Sequence, residues 1–202
     1  MAKRYLIGVD EAGRGPLAGP VAVGAVLFTP GFDWRQMRGV RDSKQLTERA
    51  REAWYARAEA LADEQQLYFS VAFSSARKID RSGIVPSISA ALERVLRTLI
   101  ATAAIAPDEC EVLLDGSLYA PNDFIHQRTI IRGDETEPII SLASIAAKVE
   151  RDRLMLRMAK KFPAYGFNEH KGYGTKKHIS MIRQFGLCDI HRRSFIHWSK
   201  GE

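Results

Sequence analysis

Two adjacent carboxylates, Asp10 and Glu11, end the apolar run YLIGV and are followed at once by Gly13, Arg14, Gly15 and Pro16, then by Gly19 and Pro20. Acid is thus placed where the chain turns, and glycines at 13, 15 and 19 let the backbone take positive φ or come close to another group. By local pattern alone such a pair is more often a solvated turn, because turns favour these residue types. Of the functional readings, a dinucleotide fingerprint is the weaker. Gly13, Gly15 and Ala18 fit G-x-G-x-x-A with Asp33 suitably further on, but that motif must open a helix. Here Gly19 and Pro20 interrupt, Val21–Phe28 reads as a second strand, and the two carboxylates would repel a pyrophosphate. A metal site is the stronger candidate.

Further acids sit at comparable places. The run EVLLD brings Asp115 to the end of a short apolar strand, Gly116 turns the chain, and a strand over 128–132 leads into Gly133 and Asp134. Four carboxylates brought together repel one another, and hard divalent cations such as Mg²⁺ or Mn²⁺ resolve the conflict by accepting oxygen ligands, which points to phosphoryl chemistry.

The elements that must position these acids alternate. Strands are expected at 5–9, 21–28, 67–73 and 111–115. Helices are expected from the Thr47 cap to about residue 62, over 84–105 with Ile88, Leu92, Val95, Leu96 and Leu99 on one face, and from Pro138 to about 161. Residues 79–82 read as a link. The expected architecture is an α/β mixed sheet flanked by helices, with the site at the carboxyl ends of strands. Residues 163–178 mix glycine, aromatic and basic types, and a short helix near 177–185 leads to the tail IHRRSFIHWSK. This suits nucleic acid, where cations meet phosphates and rings stack, about as well as it suits a solvated basic terminus.

With 202 residues and 46% hydrophobic content the chain can bury one core, and its net charge of +6 favours an anionic partner, nucleic acid first. Cys110 and Cys188 are too few and too far apart for a disulfide framework or a zinc knuckle and are expected to pack as small apolar groups. No apolar stretch is long enough to span a bilayer and no cleavable leader precedes the first strand, so a cytoplasmic protein is expected.

DEAGRGPLAGPV at 10–21, DSKQL at 42–46, LLDG at 113–116, GD at 133–134, ISLASIAAKVERD at 140–152 and HKGYGT at 170–175 resemble the type 2 ribonuclease H family, ribonuclease HII, block by block and in order. The resemblance implies a ribonuclease H-like catalytic domain over 1–162 and a small, helical, basic substrate-contact extension over 163–202. It implies an endonuclease that cuts the RNA strand of RNA–DNA hybrids and ribonucleotides embedded in duplex DNA, with a place in ribonucleotide excision repair. Asp10, Glu11, Asp115 and Asp134 match its catalytic metal ligands for Mn²⁺ or Mg²⁺. Gly13, Arg14, Gly15 and Tyr173 match its readers of the ribonucleotide and its junction with DNA, and Lys44 its phosphate contact. A monomer is the default, and the tail shows no clear motif for a replication clamp.

Two points qualify this picture. Asp10 and Glu11 cannot both face one metal pair if the strand stays regular, so either the turn begins early or Glu11 reaches around. Asp152 is expected in ion pairs, Asp42 in a turn or cap, Tyr165 in packing, and His170, His178, His191 and His197 away from metal, because hard cations prefer oxygen. Another metal-dependent nuclease or phosphohydrolase, and a noncatalytic hybrid-binding protein, are the competing readings.

Overall fold

The computed structural model describes residues 4–197. In chain order the elements are β1 (Tyr5–Ala12), β2 (Val21–Phe28), α1 (Glu48–Asp63), β3 (Leu67–Ser74), α2 (Ala76–Ser82), α3 (Ile84–Ala103), β4 (Cys110–Asp115), β5 (Gln127–Ile130), α4 (Gly133–Thr136), α5 (Pro138–Lys161), α6 (Phe167–His170) and α7 (Lys176–Phe185). The sheet runs β3-β2-β1-β4-β5. β1, β2 and β3 pair antiparallel, whereas β4 and β5 join in parallel, giving a mixed sheet.

Alternation along β1 sorts its side chains between two cores. Ile7 and Val9 pack with the α3 stripe of Ile88, Leu92, Val95, Leu96 and Leu99. Leu6 and Gly8 face α5. The small residues foreseen in α5 allow a close approach: a Cβ on Gly8 would stand 2.6 Å from the carbonyl carbon of Ile139, and one on Gly24 would stand 2.4 Å from the Ala143 oxygen. Backbone on both sides leaves no flexible atom to give way. Gly24→Ala is therefore expected to cost about 3 kcal/mol, by overpacking, in urea unfolding; unchanged stability would mean that α5 can move off the sheet freely.

The C-terminal segment docks on the loop between β1 and β2. Leu17 N–H donates to the Gly172 carbonyl at 2.8 Å and Gly19 N–H to that of Ile190 at 2.8 Å. Beneath them Ala18, Met155, Tyr165 and Phe167 form a small apolar core. Among the described residues no helix is long and apolar enough to cross a membrane.

The strands and long helices stand close to expectation, with local differences. Strand β1 runs on to Ala12 rather than ending at 9. Residues 79–82 are helix rather than link, because the Ser75 hydroxyl caps α2 through Lys78 N–H at 3.2 Å and Gly83 ends it at φ +82. Helix α3 stops at Ala103, where Ala104 turns left-handed, before Pro107 is reached. Strand β5 ends at Ile130 because Arg132 is left-handed and opens α4.

Candidate active site

Register places the first two acids. In the parallel β1–β4 ladder Gly8 lies opposite Leu113 and Val9 opposite Leu114, so the next step sets Asp10 beside Asp115. Asp10 shares the α5 face with Gly8, and Asp115 shares it with Leu113, so both acids leave adjacent strands on one side. Asp134 joins from α4: its N–H donates to Asp115 Oδ1 at 3.2 Å, and its carbonyl accepts the Ser141 hydroxyl of α5 at 2.7 Å. Gly133 allows the approach, since a Cβ there would meet Ile140 at 2.6 Å.

Glu11 is different. The strand stays regular through Ala12, so the turn does not begin early and Glu11 alternates toward the opposite face. Its carboxylate pairs with Arg14 Nη1 at 3.2 Å. Lys44, in a single 3-10 turn capped by Asp42, places Nζ 2.8 Å from Asp134 Oδ2 and 3.9 Å from Asp42 Oδ1. Among the described residues no three acids already stand at metal-coordinating spacing; Arg14 and Lys44 hold two of the carboxylates instead.

The electrostatics fit a cation. Burial, then the charges of Glu11 and Asp115, push the Asp10 carboxyl well above its ordinary range against a bond from the Ser144 hydroxyl. Burial raises Glu11 against the pull of Arg14, and burial also raises Asp115 with the Asp134 charge adding to it. At Lys44 burial opposes the charge, but the Asp134 bond and the charges of Asp134, Asp42 and Asp10 outweigh it and hold the ammonium protonated. Carboxyls that burial makes resist ionisation, offering oxygen ligands with no histidine or cysteine among them, have the chemistry that suits a hard divalent ion.

The loop after β1 meets the C-terminal segment around two arginines. Gly13 takes φ +90, and a Cβ there would stand 2.0 Å from Arg151 Nε, whereas Gly15 opens onto free space. Arg151 is fully buried and donates to the carbonyls of Pro20, Ala18 and Lys171. Its Nη1 has no hydrogen-bond partner, and its guanidinium lies 5.7 Å from the centre of the Tyr173 ring. Arg192, also fully buried, donates to Gly13 O at 2.7 Å, Arg14 O at 2.9 Å and Gly19 O at 2.9 Å. Tyr173 itself is 43% exposed on the loop that bonds residues 17 and 18.

Sequence reasoning missed both arginines, since nothing in a basic, aromatic tail marks Arg192 as buried and Arg193 as exposed. Four smaller expectations hold: Asp152 pairs with Lys148 at 2.8 Å, Asp42 caps its turn, Tyr165 packs with its hydroxyl on Gly186 O at 3.0 Å, and Cys110 is buried.

His170, His178 and His191 are buried together in the C-terminal segment. Burial lowers all three, His178 down to about 4. A pKa depressed on folding confers stability that is lost on acidification, because from about pH 6.5 downward the unfolded chain takes a proton that the folded chain refuses. Between pH 7 and 5 His178 alone is expected to remove about 2 kcal/mol of unfolding free energy. The raised acids act in the opposite sense, so the check is the difference in urea stability between the parent and His178→Gln at both pH values; a difference that does not shrink toward pH 5 contradicts it.

Residues 7–198 match the family model for Ribonuclease HII. A protein of Caldicellulosiruptor bescii named ribonuclease HII is 44% identical over 193 residues, 96% of this chain and 87% of its own. The structure of the PCNA:RNase HII complex from Archaeoglobus fulgidus superimposes with a TM-score of 0.73 at 23% identity over 97% of each chain. Bst-RNase HIII in complex with Mn²⁺ does so with a TM-score of 0.66 at 20% identity, over 92% of this chain and 64% of its own.

Proposed function

The chain belongs to the ribonuclease HII family, a metal-dependent endoribonuclease of type 2 that cleaves the RNA strand of RNA–DNA hybrids, and from that membership we propose that it also incises duplex DNA at single embedded ribonucleotides by two-metal-ion hydrolysis. The observation that carries this reading is the register that sets Asp10 beside Asp115 at the ends of adjacent parallel strands, with Asp134 bonded to Asp115.

Asp10, Asp115 and Asp134 would hold Mg²⁺ or Mn²⁺, and Glu11 would join them once released from Arg14. The Bst-RNase HIII neighbour was solved with Mn²⁺. When bound, such ions make a water nucleophilic near neutral pH and stabilise charge on the leaving 3′ oxygen, so the products are a 5′-phosphate and a 3′-hydroxyl. The chain's own residues supply selection. Gly13–Gly15 offers backbone polar groups at the 2′-hydroxyl, the feature that separates RNA from DNA. Arg14, free of Glu11, meets a neighbouring phosphate, and Lys44, whose side chain is 76% exposed, turns from Asp134 to another. The Tyr173 ring stacks on the sugar of the following deoxynucleotide.

In this reading residues 1–162 form the catalytic domain and 163–202 an extension that adds substrate contacts, of which 198–202 lie outside the described residues. A monomer acting in the cytoplasm is sufficient. A clamp accompanies the Archaeoglobus fulgidus neighbour, and no residue of this site requires one.

The test is a duplex carrying one ribonucleotide, assayed with Mg²⁺ or Mn²⁺ and again after chelation. Cutting 5′ to the ribonucleotide that stops on chelation is expected; an all-DNA duplex cut as fast would favour a general nuclease.

A further inference from the structure

The three buried histidines form hydrogen bonds whose directions can be worked out. Cys188 N–H donates to His191 Nδ1 at 2.9 Å, so that nitrogen is an acceptor and the His191 proton sits on Nε2. The Cys188 carbonyl also lies 3.3 Å from His191 Nδ1, but it already accepts His191 N–H at 3.1 Å, and the shorter backbone contact decides the tautomer. His191 Nε2–H must then donate to His178 Nε2, 3.1 Å away. His178 in turn carries its proton on Nδ1, where it donates to the Tyr173 carbonyl at 2.9 Å.

His170 holds the same segment from the other side. Gly172 N–H donates to its Nδ1 at 3.2 Å, its Nε2 bonds the Tyr165 carbonyl at 2.7 Å, and its own carbonyl accepts Tyr173 N–H at 2.9 Å. Its ring stacks on His178 with centroids 4.3 Å apart. The backbone of Tyr173 is therefore pinned at both its N–H and its C=O by histidines. His178 is buried with both ring nitrogens bonded inside the C-terminal segment, so neither is open to a reacting group.

We propose that His178, oriented by His191, is a positioning residue for Tyr173: the one-directional relay from Cys188 through both rings fixes the tyrosine ring against the sugar it inspects. This rests on the reading of Tyr173 as the junction reader. Removing the Nδ1 donor leaves the Tyr173 carbonyl with Thr175 N–H alone, at 2.8 Å, so the loop loses its tie to the histidine pair, and selection of an embedded ribonucleotide weakens while metal-dependent cutting of a continuous hybrid survives.

Histidine ¹⁵N NMR on the full chain tests the relay directly. His178 is expected with its proton on Nδ1 and His191 with its proton on Nε2; the opposite tautomer at His178 overturns the proposal. The functional readout is kcat/KM for a duplex with one ribonucleotide divided by that for a continuous hybrid. His178→Gln is expected to lower this ratio about tenfold. His178→Asn, whose amide nitrogen stands close to the place of Nδ1, is expected to restore most of it. In a Tyr173→Ala background His178→Gln is expected to lower the ratio no further, as a residue acting through Tyr173 must. If Tyr173→Ala leaves the ratio unchanged, the tyrosine reading itself fails; if Tyr173→Ala lowers it and His178→Gln does not, the histidine relay fails alone. Should His178→Gln not fold, the tautomers of the parent and the His178→Asn ratio still decide.

Discussion

Asp115→Asn is expected to lower kcat on an RNA–DNA hybrid by about 10³-fold or more, because in the proposed mechanism the carboxylate that ends β4 is a shared anchor for the metal-binding acids. The isosteric change removes charge and keeps shape: Oδ1 of the asparagine can still accept Asp134 N–H, as the aspartate does at 3.2 Å. The same substitution should leave the metal-free protein at least as stable as the parent, since burial and the neighbouring charge of Asp134 already raise Asp115. Loss of activity together with unchanged or higher Tm without metal, and a smaller rise of Tm on adding Mn²⁺, is the signature of a site that sacrifices stability for ion binding. Cutting unaffected by the substitution would remove Asp115 from the mechanism. A fall in both activity and metal-free Tm would instead assign it a folding role.

Much of this site is legible in the amino-acid sequence. Strand limits follow from apolar runs and glycine punctuation, and the small residues SLASIAAK announce a helix lying close on the sheet, which the contacts at Gly8 and Gly24 bear out. Alternation raises the difficulty at Glu11, and the regular strand through Ala12 resolves it by leaving that side chain on Arg14. What is not legible is pairing between distant segments. Register between β1 and β4 joins residues about a hundred positions apart, and only tertiary packing sets it. The tail is harder still, because burial of an arginine depends on carbonyls offered by a loop far away in sequence. Composition treats Arg192 and Arg193 alike, whereas the first is sealed beneath the 13–20 loop and the second is exposed.

That contrast sets the second large effect. Arg192→Met keeps most of the buried volume and deletes three donors, leaving the carbonyls of Gly13, Arg14 and Gly19 without the partners now at 2.7, 2.9 and 2.9 Å. Buried acceptors left unpaired cost about 1–3 kcal/mol each, and some relaxation toward water is open to a loop, so a net loss of about 3–5 kcal/mol in urea unfolding is expected. Lysine does not rescue it, because one ammonium on a flexible stem cannot span three carbonyls that a planar guanidinium reaches at once. Cutting at an embedded ribonucleotide should fall about 10²-fold in molecules that remain folded, since the backbone proposed to meet the 2′-hydroxyl would be displaced by an ångström or so. Arg193→Met, one residue along and exposed, should change stability by less than about 0.5 kcal/mol. If the two substitutions prove equally mild, the loop holds its shape without Arg192, and the glycine turn rather than the buried guanidinium organises the sugar-reading edge.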